Sequence, residues 1–273
     1  MKKLFALGMA SVMALSLAAC GGAASTASST AAAPADSASS EAASAETTGK
    51  KWVIATDTVF KPFEYPDASG NFVGIDVDIV AAIAEDQGFE YEMKSLGWDA
   101  AIAACQSGQA DGMIAGASIT DERKASGWTF SDGYYDSTQT MTVAADSDIT
   151  GFADLSGKTV AVKTATQGAS YAESLKDEYG FNITYFEDSP TMYQAVLGGQ
   201  CVACFEDTPI MKASIKDGDL ALKVLNDTAS DPAPYGFAIF NTDNQELLDM
   251  FNAGLADIKE NGKYDEILAK YLG

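Results

Sequence analysis

Met113-Ile114-Ala115-Gly116-Ala117-Ser118-Ile119-Thr120-Asp121-Glu122-Arg123 passes from an apolar run into a polar one. Gln109 to Ser118 reads as a buried strand, and Thr120-Asp121-Glu122 as the capped start of a short helix. A strand that delivers a helix start at its carboxyl end is the unit of an α/β protein. Arg123 closes the stretch and is the only arginine among the 273 residues. Arginine meets a carboxylate through two parallel N–H bonds. Held at a strand end beside free backbone amides, it suits a small carboxylate. The competing reading is a surface arginine paired with Asp121 or Glu122.

Outward from this stretch the same alternation continues. Lys51 to Thr56 reads as a strand buried on both faces and closed by Asp57-Thr58. Lys61 to Pro66 reads as a loop, on its two prolines. Asn71 to Gly74 reads as a short strand. Asp76 to Gln87 reads as a helix, with Ile75, Ile79 and Ile83 every fourth residue and Gly88 as its stop. Phe89 to Met93 reads as a strand and Trp98 to Gln106 as a helix. After Thr138 the pattern restarts, with strands over Thr138–Ala144, Lys158–Val162, Asn182–Phe186 and Cys201–Phe205. Helices lie between them: Ala169 to Tyr179, one opened by Ser189 as N-cap and Pro190 as first residue, and one starting at Pro209. A strand over Tyr235–Asn241 and two amphipathic helices, Asn244–Asn261 and one carrying Tyr264, Ile267, Leu268 and Tyr271, finish the chain.

Strands alternating with helices predict a largely parallel sheet. In such sheets ligands gather beyond the carboxyl ends of the strands. Asp57 and Arg123 lie there in the first set of elements, and Lys163, Thr166 and Asp207 in the second. The expected body has two lobes, residues 50–140 plus 235–273 and residues 141–234, crossed near 136–141 and 231–235. That arrangement suits closure around a small molecule.

Composition narrows the chemistry. The chain carries 39 acidic and 17 basic residues and a formal net charge of −22, which argues against nucleic acid and against a basic membrane-surface patch. It has no histidine, so Ser-His and Cys-His catalysis, histidine metal sites and histidine pH switches are excluded. Besides Cys20 the cysteines are Cys105, Cys201 and Cys204, an odd number that is not a disulfide framework. Cys201-Val-Ala-Cys204 invites a redox or zinc reading, but no second CxxC completes a zinc set. Its apolar setting reads as structural instead.

The N-terminus sets the compartment. Lys2 and Lys3 precede a short apolar segment, Leu4 to Leu17, that is too short to span a bilayer comfortably. Leu17-Ala18-Ala19-Cys20-Gly21 follows and resembles the lipobox of bacterial lipoproteins, the alternative being an ordinary signal peptide. The resemblance implies a signal peptide over 1–19 and a lipidated Cys20 that holds the chain on a membrane it does not cross. Residues 20–49, rich in Ala, Ser and Thr, read as a disordered tether, because from Gly21 onward they hold no large apolar side chain to offset the entropy of ordering.

The residues gathered at the expected cleft are Asp57, Phe60, Phe63, Trp98, Gly116, Ser118, Arg123, Lys163, Thr166, Gln167, Glu206 and Asp207. A free α-amino acid needs a cation and N–H donors for its carboxylate. It also needs acceptors for its ammonium. Arg123 with the amides around Ser118 and Thr166 meets the first need, and Asp207 with Gly116 or Ser118 the second. Phe60 and Trp98 suit the two faces of a side chain. Phe63 reads as core, Asp57 alternatively as a turn residue, and Glu206 alternatively as a solvated neighbour of Asp207.

Five blocks then carry a family resemblance: Ala55-Thr-Asp-Thr-Val-Phe-Lys-Pro-Phe-Glu-Tyr65, Gly74-Ile-Asp-Val-Asp78, Ser118-Ile-Thr-Asp-Glu-Arg123, Phe130-Ser-Asp-Gly-Tyr-Tyr135 and Asn261-Gly-Lys-Tyr-Asp-Glu266. In this order they resemble the family 3 solute-binding proteins, the polar amino acid receptors of ABC importers, over nearly all of 51–273. The resemblance implies a two-lobe periplasmic-binding-protein-like (type II) α/β fold. It implies a non-enzymatic monomer without cofactor or metal that delivers a polar, neutral or basic amino acid to a membrane permease. It implies that Arg123, with Ser118 and Thr166, takes the α-carboxylate and Asp207 the α-ammonium. Phe60 and Trp98 then line the side-chain slot and Asp57 helps set specificity. Lys163 and Asp207-Thr-Pro209 are similar to the glutamine-binding pattern, whereas Thr164-Ala-Thr-Gln167 is similar to the basic amino acid pattern. Glu206 replaces a histidine of the glutamine type. Cyclohexadienyl-type dehydratases also resemble these receptors, with Glu206 as the imaginable acid, and an amino acid sensor module is a third reading.

Overall fold

The computed structural model describes residues 50–272, which belong to one compact unit. The signal segment 1–19, Cys20 and the tether over 20–49 lie outside the described residues. No helix among the described residues is long and apolar enough to cross a membrane.

The elements run β1 (Trp52–Thr56), β2 (Tyr65–Pro66), β3 (Phe72–Val73), α1 (Ile75–Gln87), β4 (Tyr91–Ser95), α2 (Trp98–Gln106), β5 (Gly112–Met113), α3 (Asp121–Ala125), β6 (Thr129–Phe130) and β7 (Tyr135–Ser137). They continue with β8 (Gln139–Ala144), β9 (Thr159–Lys163), α4 (Gln167–Tyr179), β10 (Asn182–Phe186), α5 (Ser189–Leu197), β11 (Ala203–Asp207), α6 (Thr208–Gly218) and β12 (Leu222–Leu225). The chain ends with β13 (Ala233–Tyr235), β14 (Ala238–Ile239), α7 (Gln245–Glu260) and α8 (Lys263–Leu272). Two five-stranded sheets form, ordered β4-β1-β5-β14-β6 and β10-β9-β11-β8-β12. Each is the centre of one lobe of a type II binding-protein fold. The ladder β7/β13 pairs Tyr135–Ser137 with Ala233–Tyr235, so the two chain crossings run side by side.

Both sheets are largely parallel, as expected, but each holds one strand that runs against the other four. β1 is parallel to β4 and β5, but β14 is antiparallel to β5 and β6. β9 is parallel to β10 and β11, but β8 is antiparallel to β11 and β12. The antiparallel strands are those that enter from the crossings, so no helix forces them to run with the rest. Strand β12 has no counterpart in the sequence reading. Nor does the two-residue strand β2, which contains Pro66 and pairs with β3. A two-stranded ribbon is all edge and tolerates a residue without an N–H.

The first sheet carries α1, α7 and α8 on one face. Their buried Ile75, Ile79, Ile83, Leu248, Phe251 and Leu255 form the core with Ile54, Ile114 and Phe63. The opposite face packs Trp98, Ala101, Cys105 and Trp128. In the second sheet Val160, Val162 and Phe205 face α4, while Ala161 and Cys204 face α5 and α6. Each large apolar side chain taken fully out of water stabilises the fold by about 1.5–3 kcal/mol. Cys105, Cys201 and Cys204 are buried free thiols. Burial pushes Cys105 up to about 12, as inert core cysteines require.

The boundary readings hold for α2 and β10 and slip elsewhere. Asp188, not Ser189, caps α5, its Oδ1 accepting from Thr191 N at 2.8 Å. Ser189 thus lies inside the helix with its hydroxyl free for another partner. The expected ten-residue strand over 109–118 shrinks to β5, because Gly116 turns left-handed at φ 55. A Cβ there would lie 2.5 Å from the Phe60 ring, so the position takes only glycine. The strand Tyr235–Asn241 is likewise split into β13 and β14.

Candidate functional site

A small, nearly closed cavity lies between the lobes, lined by Asp57, Phe60, Trp98, Ala115, Gly116, Ser118, Arg123, Lys163, Thr166, Gln167 and Asp207. Its free space is about 10 Å³, room for about one water. Every residue expected at the cleft therefore lines it except Phe63 and Glu206. Phe63 is fully buried core.

From the first lobe, β1 ends at Thr56 and presents Asp57. The turn at Gly116 brings Ser118 in, and α3 carries Arg123. Arg123 is 8% exposed, which removes the reading of a surface pair with Asp121 or Glu122. Its Nη1 donates to Ser118 O at 2.9 Å and its Nη2 to Ala165 O at 3.3 Å. The guanidinium carbon lies 5.1 Å from the ring centroids of both Trp98 and Trp128. Among the described residues it forms no ion pair. Burial lowers Arg123 to about 10, with Asp207 acting in the opposite sense. It stays charged at neutral pH, and a buried charge without a counter-ion is costly until one arrives.

From the second lobe come Lys163 at the end of β9, Thr166 and Gln167 at the start of α4, and Asp207 at the end of β11. Thr166 caps α4, accepting from Ala169 N at 3.2 Å and donating to Lys163 O at 2.7 Å. A Cβ on Gly168 would lie 2.6 Å from Phe205 O, so this helix start sits directly on β11. Asp207 Oδ1 accepts from Tyr235 OH at 2.6 Å, Gln139 Nε2 at 2.8 Å and Ser137 Oγ at 3.0 Å. Oδ2 has no hydrogen-bond partner among the described residues. Burial raises Asp207 above the ordinary carboxylate range, and its hydrogen bonds and Arg123 pull it back.

Three of the contacts between the lobes meet on Lys163 and Ala165. Lys163 Nζ pairs with Asp57 Oδ2, both side chains at most 5% exposed, and Lys163 also lies 5.4 Å from the Phe60 ring centroid. Trp98 Nε1 donates to Ala165 O at 3.1 Å. Arg123 makes the third contact on the same carbonyl. Ala165 holds φ 57, a left-handed conformation that an L residue keeps only where its surroundings enforce it.

Glu206 departs from expectation. It is neither solvated nor on the cavity wall. Its Oε2 accepts from Ser189 Oγ at 2.7 Å and Tyr193 OH at 3.1 Å, and its Oε1 from Asp207 N at 3.1 Å. An acid for expelling a leaving group must reach the cavity, and this one faces α5. Residues that the sequence reading missed support the wall. Asp76 Oδ2 accepts from Gly116 N at 2.9 Å and Tyr134 OH at 2.9 Å, which fixes the left-handed turn. Burial raises Asp76 to about 7 and raises the neighbouring Glu64 well above its ordinary value. An aspartate between Ile75 and Val77 was the signal available for it.

Residues 52–273 match the family of bacterial extracellular solute-binding proteins, family 3. The chain belongs to that family. A probable histidine-binding protein of Neisseria gonorrhoeae is 31% identical to this solute-binding protein, over all of this chain and 96% of the relative. The arginine-, lysine-, histidine-binding protein ArtJ of Geobacillus stearothermophilus is 34% identical, with a TM-score of 0.74, over 81% of this chain and 95% of that one. An ancestral arginine-binding protein has been solved bound to arginine and bound to glutamine. At 31% and 32% identity it gives a TM-score of 0.75 in both states, over 82% of this chain and 98% of the other. The relatives are binding proteins, and this chain is a binding protein rather than an enzyme.

Proposed function

We propose that this solute-binding protein captures a free α-amino acid between its lobes and delivers it to the permease of an ABC importer. The carrying observation is Arg123, buried and charged with no carboxylate partner among the described residues, sharing a small cavity with the open Oδ2 of Asp207. A zwitterion supplies both missing partners at once: its carboxylate to Arg123 and the amides at Ser118 and the start of α4, its ammonium to Asp207. A carboxylate arriving at Arg123 takes the place of Ala165 O.

The ligand class is a neutral polar or basic amino acid. At the far end of the slot Phe60 and Trp98 flank the Asp57–Lys163 pair. An amide side chain meets both halves, its carbonyl on Lys163 and its NH₂ on Asp57, and a cationic side chain uses Asp57. An acidic side chain finds Asp57 opposed to it. The ligands named for the relatives, histidine, arginine, lysine and glutamine, fall in these two classes. The same reading places the mature protein outside the cytoplasm as a monomer held to the membrane through lipidated Cys20.

Calorimetric titration tests this directly. The full chain, unfolded and refolded to remove bound solute, is titrated with the twenty amino acids and ornithine. A saturable neutral polar or basic binder that is lost in Arg123→Ala is the expected result. Absence of binding by every amino acid overturns the reading.

A further inference from the structure

Lys163 pairs with Asp57 in the cavity, and a second buried carboxylate, Glu206, stands behind it in the sheet. β9 and β11 run parallel in the register Val162 with Phe205. Continued by one residue beyond the ladder, that register sets Lys163 beside Glu206. Along these strands Val160, Val162, Ala203 and Phe205 point to one face and Ala161 and Cys204 to the other. Lys163 and Glu206 continue the second set, side by side under α5. Both are 2% exposed. The other carboxylate, Asp57, belongs to the first lobe and meets Lys163 only where the lobes close.

We propose that Glu206 is the specificity-determining residue of the site, choosing through Lys163 between a cationic and an uncharged ligand side chain. The proposal rests on the amino acid reading above. When Glu206 is ionised it neutralises the Lys163 ammonium from behind, and Asp57 is released for a cation on the ligand. When Glu206 is protonated, the Lys163 charge falls to Asp57 alone. The pair then offers one donor and one acceptor, which an amide satisfies. Both states are compatible with the surroundings. The two groups on Oε2, Ser189 Oγ and Tyr193 OH, are hydroxyls that accept as readily as they donate, so either can turn to receive the proton of a neutral carboxyl.

The groups facing Glu206 come from every element around it. They are Lys163 on β9, Ser189 and Tyr193 on α5, Cys204 and Asp207 on its own strand, and Ser214 on α6 through its bond to Tyr193. Tyr193 and Cys204 are both raised by burial and stay protonated. Glu206 itself is raised to about 7 by burial and then by Asp207, against Lys163 and its hydrogen bonds. Its charge therefore changes within the range where these ligands can be compared.

The test is the ratio of arginine to glutamine affinity, measured calorimetrically on the full chain from pH 5.5 to 8. A ratio isolates the side-chain end, because titration near the α-groups, such as that of Asp76, affects both ligands alike. The ratio is expected to rise by about tenfold, the value of one full charge coupling of a single pKa unit. Glu206→Gln is expected to hold the ratio at its acid value at every pH. A flat ratio in the unaltered protein overturns the proposal and needs no variant to fold. So does a rise that survives in Glu206→Gln. Failure of both amino acids to bind at any pH instead overturns the amino acid reading beneath it.

Discussion

The two ends of the cavity are built on opposite plans. At one end the charges are unpaired among the described residues: Arg123 has no carboxylate, and Asp207 keeps one oxygen open while Tyr235, Gln139 and Ser137 hold the other. At the other end the charges are already satisfied, with Lys163 on Asp57. An end that lacks its counter-ions gains most from a ligand that carries them, whatever else the ligand carries. A pre-paired end gains only the difference between the ligand and its own pair. The first end therefore supplies affinity common to all amino acids, and the second supplies choice among them.

The sharpest way to break this contrast is to disarm each end in turn. Asp207→Asn removes the charge opposite the ammonium and is expected to weaken every amino acid by about 1.5–3 kcal/mol, the value of a hydrogen bond to a charged group. Lys163→Met is expected to change the order of preference among amino acids and leave the best binder within about tenfold of the original. Calorimetric titration of both variants with one ligand panel reads the two effects together. Equal, ligand-independent losses from both would erase the distinction.

A smaller effect concerns the support beneath the first end. Asp76 is raised from 3.8 to about 7 by burial, so the folded chain binds its proton more tightly than the unfolded chain does. The stability this confers is fully present below about pH 4 and is lost as pH rises through about 7. Melting temperature is therefore expected to fall from pH 5 to pH 8, with Asp76 contributing on the order of 2 kcal/mol. In Asp76→Asn that part of the slope disappears. A wild-type melting temperature that rises over this interval would contradict the assignment. Smaller still is Ala165→Gly. Relief of the left-handed strain, set against the greater entropy of an unfolded glycine, is expected to stabilise the protein by roughly 0.5 kcal/mol. That corresponds to a rise of only one or two degrees on thermal unfolding. Ala165→Val is expected to destabilise by more than this.

Much of this site was legible in the chain. A single arginine after a buried strand, and acidic or basic residues at other strand ends, can be read from local pattern alone. So could the restart of the pattern that makes the second sheet. What was not legible depends on contacts distant in sequence. The left-handed turn at Gly116 is held by Asp76, forty residues earlier. The side chain of Glu206 turns away from the cavity because α5 supplies two hydroxyls, and one of them is present only because Asp188 and not Ser189 caps that helix. Strand β12 and the antiparallel entries of β8 and β14 follow from pairing across crossings that no short window contains.

The central claim is that Arg123 and Asp207 read the α-groups. Its most direct measurement is a pairwise titration of each amino acid that binds against its descarboxy analogue, such as arginine against agmatine or glutamine against 4-aminobutanamide. The account predicts that removing the α-carboxylate weakens binding by at least about 3 kcal/mol, since Arg123 is then left buried and unpaired. An analogue that binds as tightly as its parent would contradict it.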